Sequence, residues 1–321
     1  MNKILIVGGA GYIGGYLTDQ LISVGHDVTV LDNLMYETRY LKKVKFINCN
    51  ILDTGKLSAF INDYDTVIWL AAIVGDGACA VDPSITKSVN EDTVKWLVDN
   101  YSGKIIFTST CSIYGANNDL IDEEAIPNPL SVYASTKLGA ERYITENYED
   151  YLIFRLGTLH GTGDEHSRLR FDLVANALTM KAAMGQTLQV FGGEQWRPLL
   201  HVKDVATAIM YGINNEITGL FNLSDKNYTM KELASVISDI VPCTVDFTDM
   251  KFEDQRNYKV TNTKIFNTGW RPNYHIEDGI SDIYKLFKEN RIKSPNDPVY
   301  SNAAFIQTEH DRITLTPHKI W

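Results

Sequence analysis

Lys3-Ile4-Leu5-Ile6-Val7-Gly8-Gly9-Ala10-Gly11-Tyr12-Ile13-Gly14 is a short apolar run that breaks into glycines and then enters a helical pattern through Leu17, Leu21 and Ile22. A second apolar run, Asp27 to Leu31, ends in Asp32. The order is strand, glycine turn, helix, strand, acid. Each glycine answers a separate steric demand: Gly8 permits the sharp turn out of the strand, Gly11 leaves room for a pyrophosphate, and Gly14 lets the helix pack on the sheet. The free amides and dipole of the helix start, around Tyr12 and Ile13, suit phosphate charge. Asp32 at the end of the second strand can accept hydrogen bonds from an adenosine ribose and would repel a 2′-phosphate, so the expected cofactor is NAD rather than NADP. The competing reading is a tight strand-to-helix turn whose glycines serve packing alone. The distance to Asp32 favours the nucleotide.

The alternation continues. Strands are expected at Ile4–Val7, Val28–Leu31, Val44–Ile47, Thr66–Leu70, Lys104–Thr108 and Tyr151–Arg155, with helices near Lys56–Ile61, Ser88–Val98 and Ala134–Tyr148. That pattern predicts an α/β fold, a Rossmann-type doubly wound parallel sheet. Ligands of such sheets sit beyond the carboxyl ends of the strands. The second half is less regular, with helices expected at Phe171–Met184, Asp204–Ile213, Met230–Ile240 and Ile276–Glu289 and a strand at Leu188–Phe191. Gly192-Gly193, Pro198, Pro242 and Pro272 punctuate it. The expected division is a nucleotide-binding domain over 1–165, to which the chain returns around 195–225, a smaller mixed α/β substrate lobe over 166–293, and an arm over 294–321. The arm lies over the body, lies over a partner subunit, or is mobile in part.

Composition narrows the function. The 321 residues suffice for a large core. A formal net charge of −10 argues against nucleic acid or an anionic membrane as partner, so an anionic substrate needs locally placed arginines. No apolar run approaches the ~20 residues of a membrane span, and because Met1-Asn2-Lys3 runs straight into a strand no signal peptide is expected. Cys49, Cys79, Cys111 and Cys243 are scattered without metal-type spacing and read as reduced thiols of a cytoplasmic protein, with no metal expected.

The second motif is Tyr133-Ala134-Ser135-Thr136-Lys137. Tyrosine and lysine four apart share one helical face. A free tyrosine titrates near pH ~10, and a neighbouring ammonium favours its phenolate. Upstream, Phe107-Thr108-Ser109-Thr110-Cys111-Ser112 closes a strand, and Thr110 is placed to orient a reacting hydroxyl toward Tyr133. Taken alone the tyrosine and lysine read as an exposed pair on a helix. Their position after the hydroxyl-rich strand end and the glycine turn reverses that.

At these residues the chain resembles the extended short-chain dehydrogenase/reductase family, the NAD-dependent nucleotide-sugar epimerases and dehydratases, over about residues 1–290. The resemblance implies a catalytic set of Thr110, Tyr133 and Lys137. It implies cofactor contacts from Gly8, Gly11, Tyr12, Ile13, Asp32, Asn33, Asn50, Ile51, Leu70, Ala71, Ala72, Asn90, Tyr133 and Lys137. Arg197 and Arg256 are similar to arginines that hold the substrate diphosphate, whose planar forks suit phosphate oxygens. Asn267-Thr268-Gly269-Trp270-Arg271-Pro272 resembles the family's closing motif. Three positions depart from the pattern: Trp69 stands where the family often has His, Asn50 where it has an adenine-contacting Asp, and Thr158 near where it has Asn. His160, His166 and His201 are expected to be structural or solvent-facing.

The reaction is narrowed by what the strand end lacks. Dehydratases of this family carry Asp-Glu after the catalytic Thr, and sugar-acid decarboxylases a Glu in the same motif; here Cys111 and Ser112 stand there. Cys111 is also one position away from the cysteine of the epimerase/reductases. The remaining chemistry is reversible hydride transfer at sugar C4, in a 4-epimerase or a 4-dehydrogenase. A dehydratase or reductase, and a non-catalytic NAD-sensing scaffold, remain as alternatives. The segments Leu70 to Asp76 and Arg168 to Val174 resemble a branch that includes GDP-heptose 4-dehydrogenases and many sequences called epimerases. Arg168 and Arg170, with Asn176 on the next helix, are candidates to face a nucleotide-diphosphate sugar; the alternative for the two arginines is capping and surface pairing at a helix start. The resemblance also implies a homodimer built on the helices near Ser88–Val98 and after Tyr133.

Overall fold

The apolar run at the start of the chain becomes a strand with parallel neighbours on both sides, as expected where a strand must be apolar on both faces. The structure, a computed structural model, describes residues 1–37, 39–248 and 256–315. In chain order the first part contains β1 (Lys3–Val7), α1 (Gly14–Ser23), β2 (Asp27–Asp32), β3 (Lys45–Asn48), α2 (Thr54–Ser58), β4 (Thr66–Trp69), α3 (Asp76–Val81), α4 (Pro83–Lys87), α5 (Thr93–Asn100), β5 (Lys104–Thr110), β6 (Ala116–Ile121), α6 (Val132–Asn147) and β7 (Tyr151–Leu156). The second part contains β8 (Thr158–His160), α7 (Val174–Ala183), β9 (Leu188–Phe191), β10 (Trp196–His201), α8 (Val202–Asn214), β11 (Gly219–Leu223), β12 (Lys226–Thr229), α9 (Met230–Ile240), β13 (Val245–Thr248), β14 (Asn257–Val260), α10 (Thr263–Asn267), α11 (Ile276–Lys288) and α12 (Asn302–Leu315).

Seven of these strands form one parallel sheet in the order β11-β7-β5-β4-β1-β2-β3. The α/β doubly wound fold is thus the observed one. Successive side chains leave a strand on opposite faces, so β1 feeds two cores. Leu5 and Val7 join Val67, Phe107, Val94, Leu97 and Ile144 on the face covered by α5 and α6. Ile4 and Ile6 join Val30, Phe154, Leu17, Leu21, Val205 and Ile209 on the face covered by α1 and α8. The smaller lobe has a mixed three-stranded sheet, β12-β10-β8. Its own core gathers Ala175 and Ala182 of α7, Leu188, Leu233 and Ile237 of α9, and Ile276 and Ile280 of α11.

Several local expectations shift. The helix expected from Phe171 starts at Val174, because Arg168 to Leu173 is an extended loop held by an Arg170–Asp172 ion pair. The helix expected over Lys56–Ile61 is α2 followed by a separate tight turn at Ile61–Asp63. The short helices α3 and α4 have no apolar period long enough to read, yet Gly75 at φ +100° and the Asp82 cap define where they start. Beyond a turn at Pro298–Tyr300, α12 packs along α3. Residues 316–321 of the expected arm lie outside the described residues.

One buried ion pair ties the catalytic helix to the sheet. Arg155 of β7 donates from Nη2 to Glu141 Oε1 of α6 at 2.6 Å and from Nη1 to the Tyr114 hydroxyl at 2.7 Å. Both side chains are buried, and removing one partner strands the other charge in the core. Glu141→Ala is therefore expected to destabilise the fold by about 3–5 kcal/mol, read as a lower urea midpoint with an unchanged slope.

Candidate functional site

A cavity of about 760 Å³ opens beyond the carboxyl ends of β1, β2, β4, β5 and β7 and extends under the second lobe. The first wall is the glycine turn. Gly8 has φ +82°, and a Cβ there would stand 2.5 Å from the backbone nitrogen of Ala71. Its own amide donates to the Leu31 carbonyl at 2.7 Å, which carries the turn across the end of β2. Gly11, Tyr12 and Ile13 line the cavity, and the first turn of α1 has no side-chain cap. An uncapped helix start behind a bare backbone is a cradle for phosphate.

Asp32 closes β2. Its Oδ1 accepts from the Leu34 amide at 2.8 Å and its Oδ2 from the Ala10 amide at 3.1 Å. Burial raises its pKa and these amides oppose that rise. Asn33, Asn50, Ile51, Leu70, Ala71 and Ala72 also line the wall. Trp69, where the family pattern often has His, is wholly in the core and does not touch the cavity, so the departure leaves the wall intact.

At the other end, Thr110, Tyr133 and Lys137 come together. Thr110 ends β5, and its hydroxyl accepts from the Ser112 amide at 3.1 Å. Tyr133 lies in the first turn of α6, whose start is fixed by the Ser131 hydroxyl on the Ala134 amide at 3.2 Å. Burial pushes the Tyr133 phenol up; Cys79 adds to this, while Arg170 and a hydrogen bond with Thr110 oppose it. One turn on, Lys137 is 2% exposed, with Nζ 4.3 Å above the Phe107 ring. Burial pulls its ammonium down to about 7, against the pull of Cys79 and Glu141.

The arginines are fixed by partners. Arg170 meets Asp172 through two hydrogen bonds of 3.0 Å. Arg256 reaches Asp76 at 2.7 Å, and Arg197 donates to the carbonyls of Trp196 and Arg256. Arg168 stacks 4.1 Å over the Tyr36 ring. All four line the cavity.

Two expected contacts are placed elsewhere. Asn90 sits behind the wall, accepting from the Ile73 amide at 2.8 Å and donating to its carbonyl at 2.9 Å, so it shapes the loop after β4. Asn176 is 1% exposed and is consumed by the Gly161 amide at 2.9 Å and the Arg170 carbonyl at 2.9 Å, which corrects its expected place facing the substrate. The structure in turn brings in residues that sequence reasoning passed over. Asp76 is one, and Tyr258, whose hydroxyl is 3.2 Å from Ser112 Oγ, is another. Asn302 and Ala303 come from the arm; only the Asp297-Pro298 cap signal hints that the chain becomes ordered there. His160 and His201 meet edge to face at 5.1 Å outside this wall. Among the described residues no group of three or more His, Cys, Asp or Glu is placed to hold a metal ion, and no helix is long and apolar enough to cross a membrane.

The model of the NAD dependent epimerase/dehydratase family matches residues 4–223. A protein of Methanocaldococcus jannaschii, provisionally named UDP-glucose 4-epimerase, is 29% identical over 310 residues, covering 89% of this chain and 99% of that protein. The UDP-N-acetyl-alpha-D-glucosaminuronate decarboxylase of Bacillus cytotoxicus is 24% identical over 330 residues, covering 90% and 98%. The solved UDP-glucuronic acid 4-epimerase of Bacillus cereus, in complex with UDP-glucuronic acid and NAD, shares the fold with a TM-score of 0.76 at 24% identity, over 89% of this chain and 99% of that one.

The buried Lys137 sets a test. Its folded pKa of about 7 lies below the usual ~10.4 of a free lysine. The cost of holding its charge is therefore fully present below pH ~7 and disappears as pH rises to the unfolded value. Lys137→Met is expected to stabilise the ligand-free protein at pH 6 by on the order of several kcal/mol. Thermal melts from pH 6 to pH 10 should show that gain shrinking.

Proposed function

The chain belongs to the NAD dependent epimerase/dehydratase family, and from that premise we propose that it acts on a nucleotide-diphosphate sugar by reversible hydride transfer at C4, as a 4-epimerase or 4-dehydrogenase. The observation that carries the reading is the convergence of Thr110, Tyr133 and Lys137 on one end of a cavity whose other end is the glycine turn and Asp32. The bare turn and the uncapped start of α1 fit a pyrophosphate, and Asp32 with Asn33 fits the adenosine ribose. NAD supplies the hydride acceptor and donor when bound. Tyr133, as phenolate, takes the proton of the C4 hydroxyl. Lys137 stabilises that phenolate, and Thr110 orients the hydroxyl toward it. Arg197 and Arg256 hold the diphosphate, while Arg168 and Arg170 face the cavity, Arg168 on the side of Glu37 and Asp32 and Arg170 within electrostatic reach of Tyr133.

The neighbourhood of Thr110 supports transfer over elimination or decarboxylation. Cys111 is fully buried with its thiol on the Arg155 carbonyl, and Ser112 shares a hydrogen bond with Tyr258. Neither position supplies a carboxylate to act as acid or base. Of the carboxylates on the cavity wall, Asp76 and Asp172 are each held by an arginine, and Asp32 and Glu37 lie together at the far end. The four cysteines are free thiols, in keeping with action in a reducing cytoplasm.

Tyr133→Phe should lower turnover by roughly 10²–10⁴-fold while leaving NAD binding in place; unchanged turnover would remove the phenolate from the mechanism. The substrate is identified by a thermal-shift screen of UDP-, GDP-, CDP- and dTDP-sugars, with the product assigned by NMR. The true substrate stabilises the protein by mass action. We also propose a homodimer through α5 and α6, which pack against each other; light scattering should return twice the 36.1 kDa chain mass.

A further inference from the structure

Residues 298–305 bind the rim of the cavity at several points. Arg168, on the loop between β8 and α7, donates from Nη1 to the Val299 carbonyl and from Nη2 to Asn302 Oδ1. The Asn302 amide donates to Asp172 Oδ2 at 3.0 Å, and its Nδ2 to the Val74 carbonyl at 2.8 Å. The Phe171 amide donates to the Tyr300 carbonyl at 2.9 Å. Asn302 is only 4% exposed, and its one side-chain amide uses donor and acceptor on different segments. Next to it, Phe305 lies 4.9 Å from the ring of Tyr36, the same ring that carries Arg168. Tyr36, Val74, Arg168, Asp172 and Asn302 all line the cavity, and Glu37, beside Tyr36 in the chain, lies within electrostatic reach of both Arg168 and Asp32.

We propose that Asn302 is a positioning residue that fastens the Arg168–Asp172 loop across the adenosine end of the cavity, so that the C-terminal arm sets how long the dinucleotide stays bound. This rests on the reading of the cavity as an NAD site. Three segments remote in sequence meet at one amide: the loop after β4, the loop before α7, and the arm. With the knot tied, Arg168 and the Arg170–Asp172 pair stay over the channel, and release requires the arm to lift. Aspartate at this position would keep an acceptor for Arg168 but would set a carboxylate oxygen against the Val74 carbonyl. The device bears on the reaction outcome. A 4-epimerase must hold the reduced cofactor while the keto sugar turns over, and a slow release step protects that intermediate state.

The test follows NADH release from loaded full-length protein by nicotinamide fluorescence during a chase with excess NAD. Asn302→Ala should release roughly tenfold faster than the parent, since affinity changes of this kind fall mostly on the off-rate and a charge-assisted hydrogen bond is lost. A second variant removes the question of folding. A Cβ on Gly77 would stand 3.2 Å from the Cβ of Ala303, close to the ~3.5–4.5 Å of a disulfide. The pair Gly77→Cys with Ala303→Cys should release NADH more slowly when oxidised than when reduced, in the same protein sample. Equal off-rates for the parent, for Asn302→Ala and for both redox states overturn the inference and leave the NAD site standing. A parent chain that binds no dinucleotide at all removes the site and the inference together. A loss of melting temperature in Asn302→Ala without a change in off-rate assigns the arm to stability alone.

Discussion

The close passage of Gly8 against the backbone of Ala71 is the constraint on which the site depends. β1 and β4 are adjacent parallel strands, so their carboxyl ends emerge side by side. The chain leaving β1 must cross that end to enter α1, and it does so with a left-handed Gly8 and no side chain between the two backbones. A Cβ would push them apart by the depth of an atom. The crevice between the turn, the loop after β4 and Asp32 exists because of that approach, and the strand-end residues of β5 and β7 continue it.

The other end shows how burial and charge are set against each other. Burial works against both ionised forms the chemistry needs, raising Tyr133 and lowering Lys137. The Thr110 hydroxyl and the Arg170 cation act the other way on the phenol, and the face of the Phe107 ring shelters the ammonium. In a chain with a net charge of −10, the four arginines on the wall build a local positive field, with Arg170 and Arg256 pinned by Asp172 and Asp76 and Arg168 and Arg197 by backbone carbonyls. Such sites sacrifice stability for function.

Much of this was legible in residue order. The alternation of apolar runs and helical periods led to the parallel sheet, since a strand buried on both faces is apolar throughout and β1, β4 and β5 show it. The glycine turn, Asp32, and the Tyr133-to-Lys137 spacing each carry a local reason that survives without tertiary contacts, and the structure brings them to one cavity. What was illegible depended on partners far along the chain. Asn176 is expected from sequence to face the substrate, and only the folded chain shows its amide spent on Gly161 and Arg170. Asn90 likewise serves the Ile73 backbone. The short strands β12, β13 and β14 hold four residues each and half-exposed patterns, too little period to detect. The arm had no period because its order comes from Asn302 and its loop partners.

The arm also imposes an order of events during synthesis. Six strands of the large sheet are complete by Leu156 and the last, β11, by Leu223, so the glycine turn and the catalytic helix can assemble on the ribosome while most of the second lobe is unmade. The rim formed by Asn302 and Ala303 cannot exist until about eighty further residues have emerged and docked. A nascent chain therefore passes through an interval in which its nucleotide crevice is built but open on one side, and its walls close only once residues 298–305 have emerged and docked.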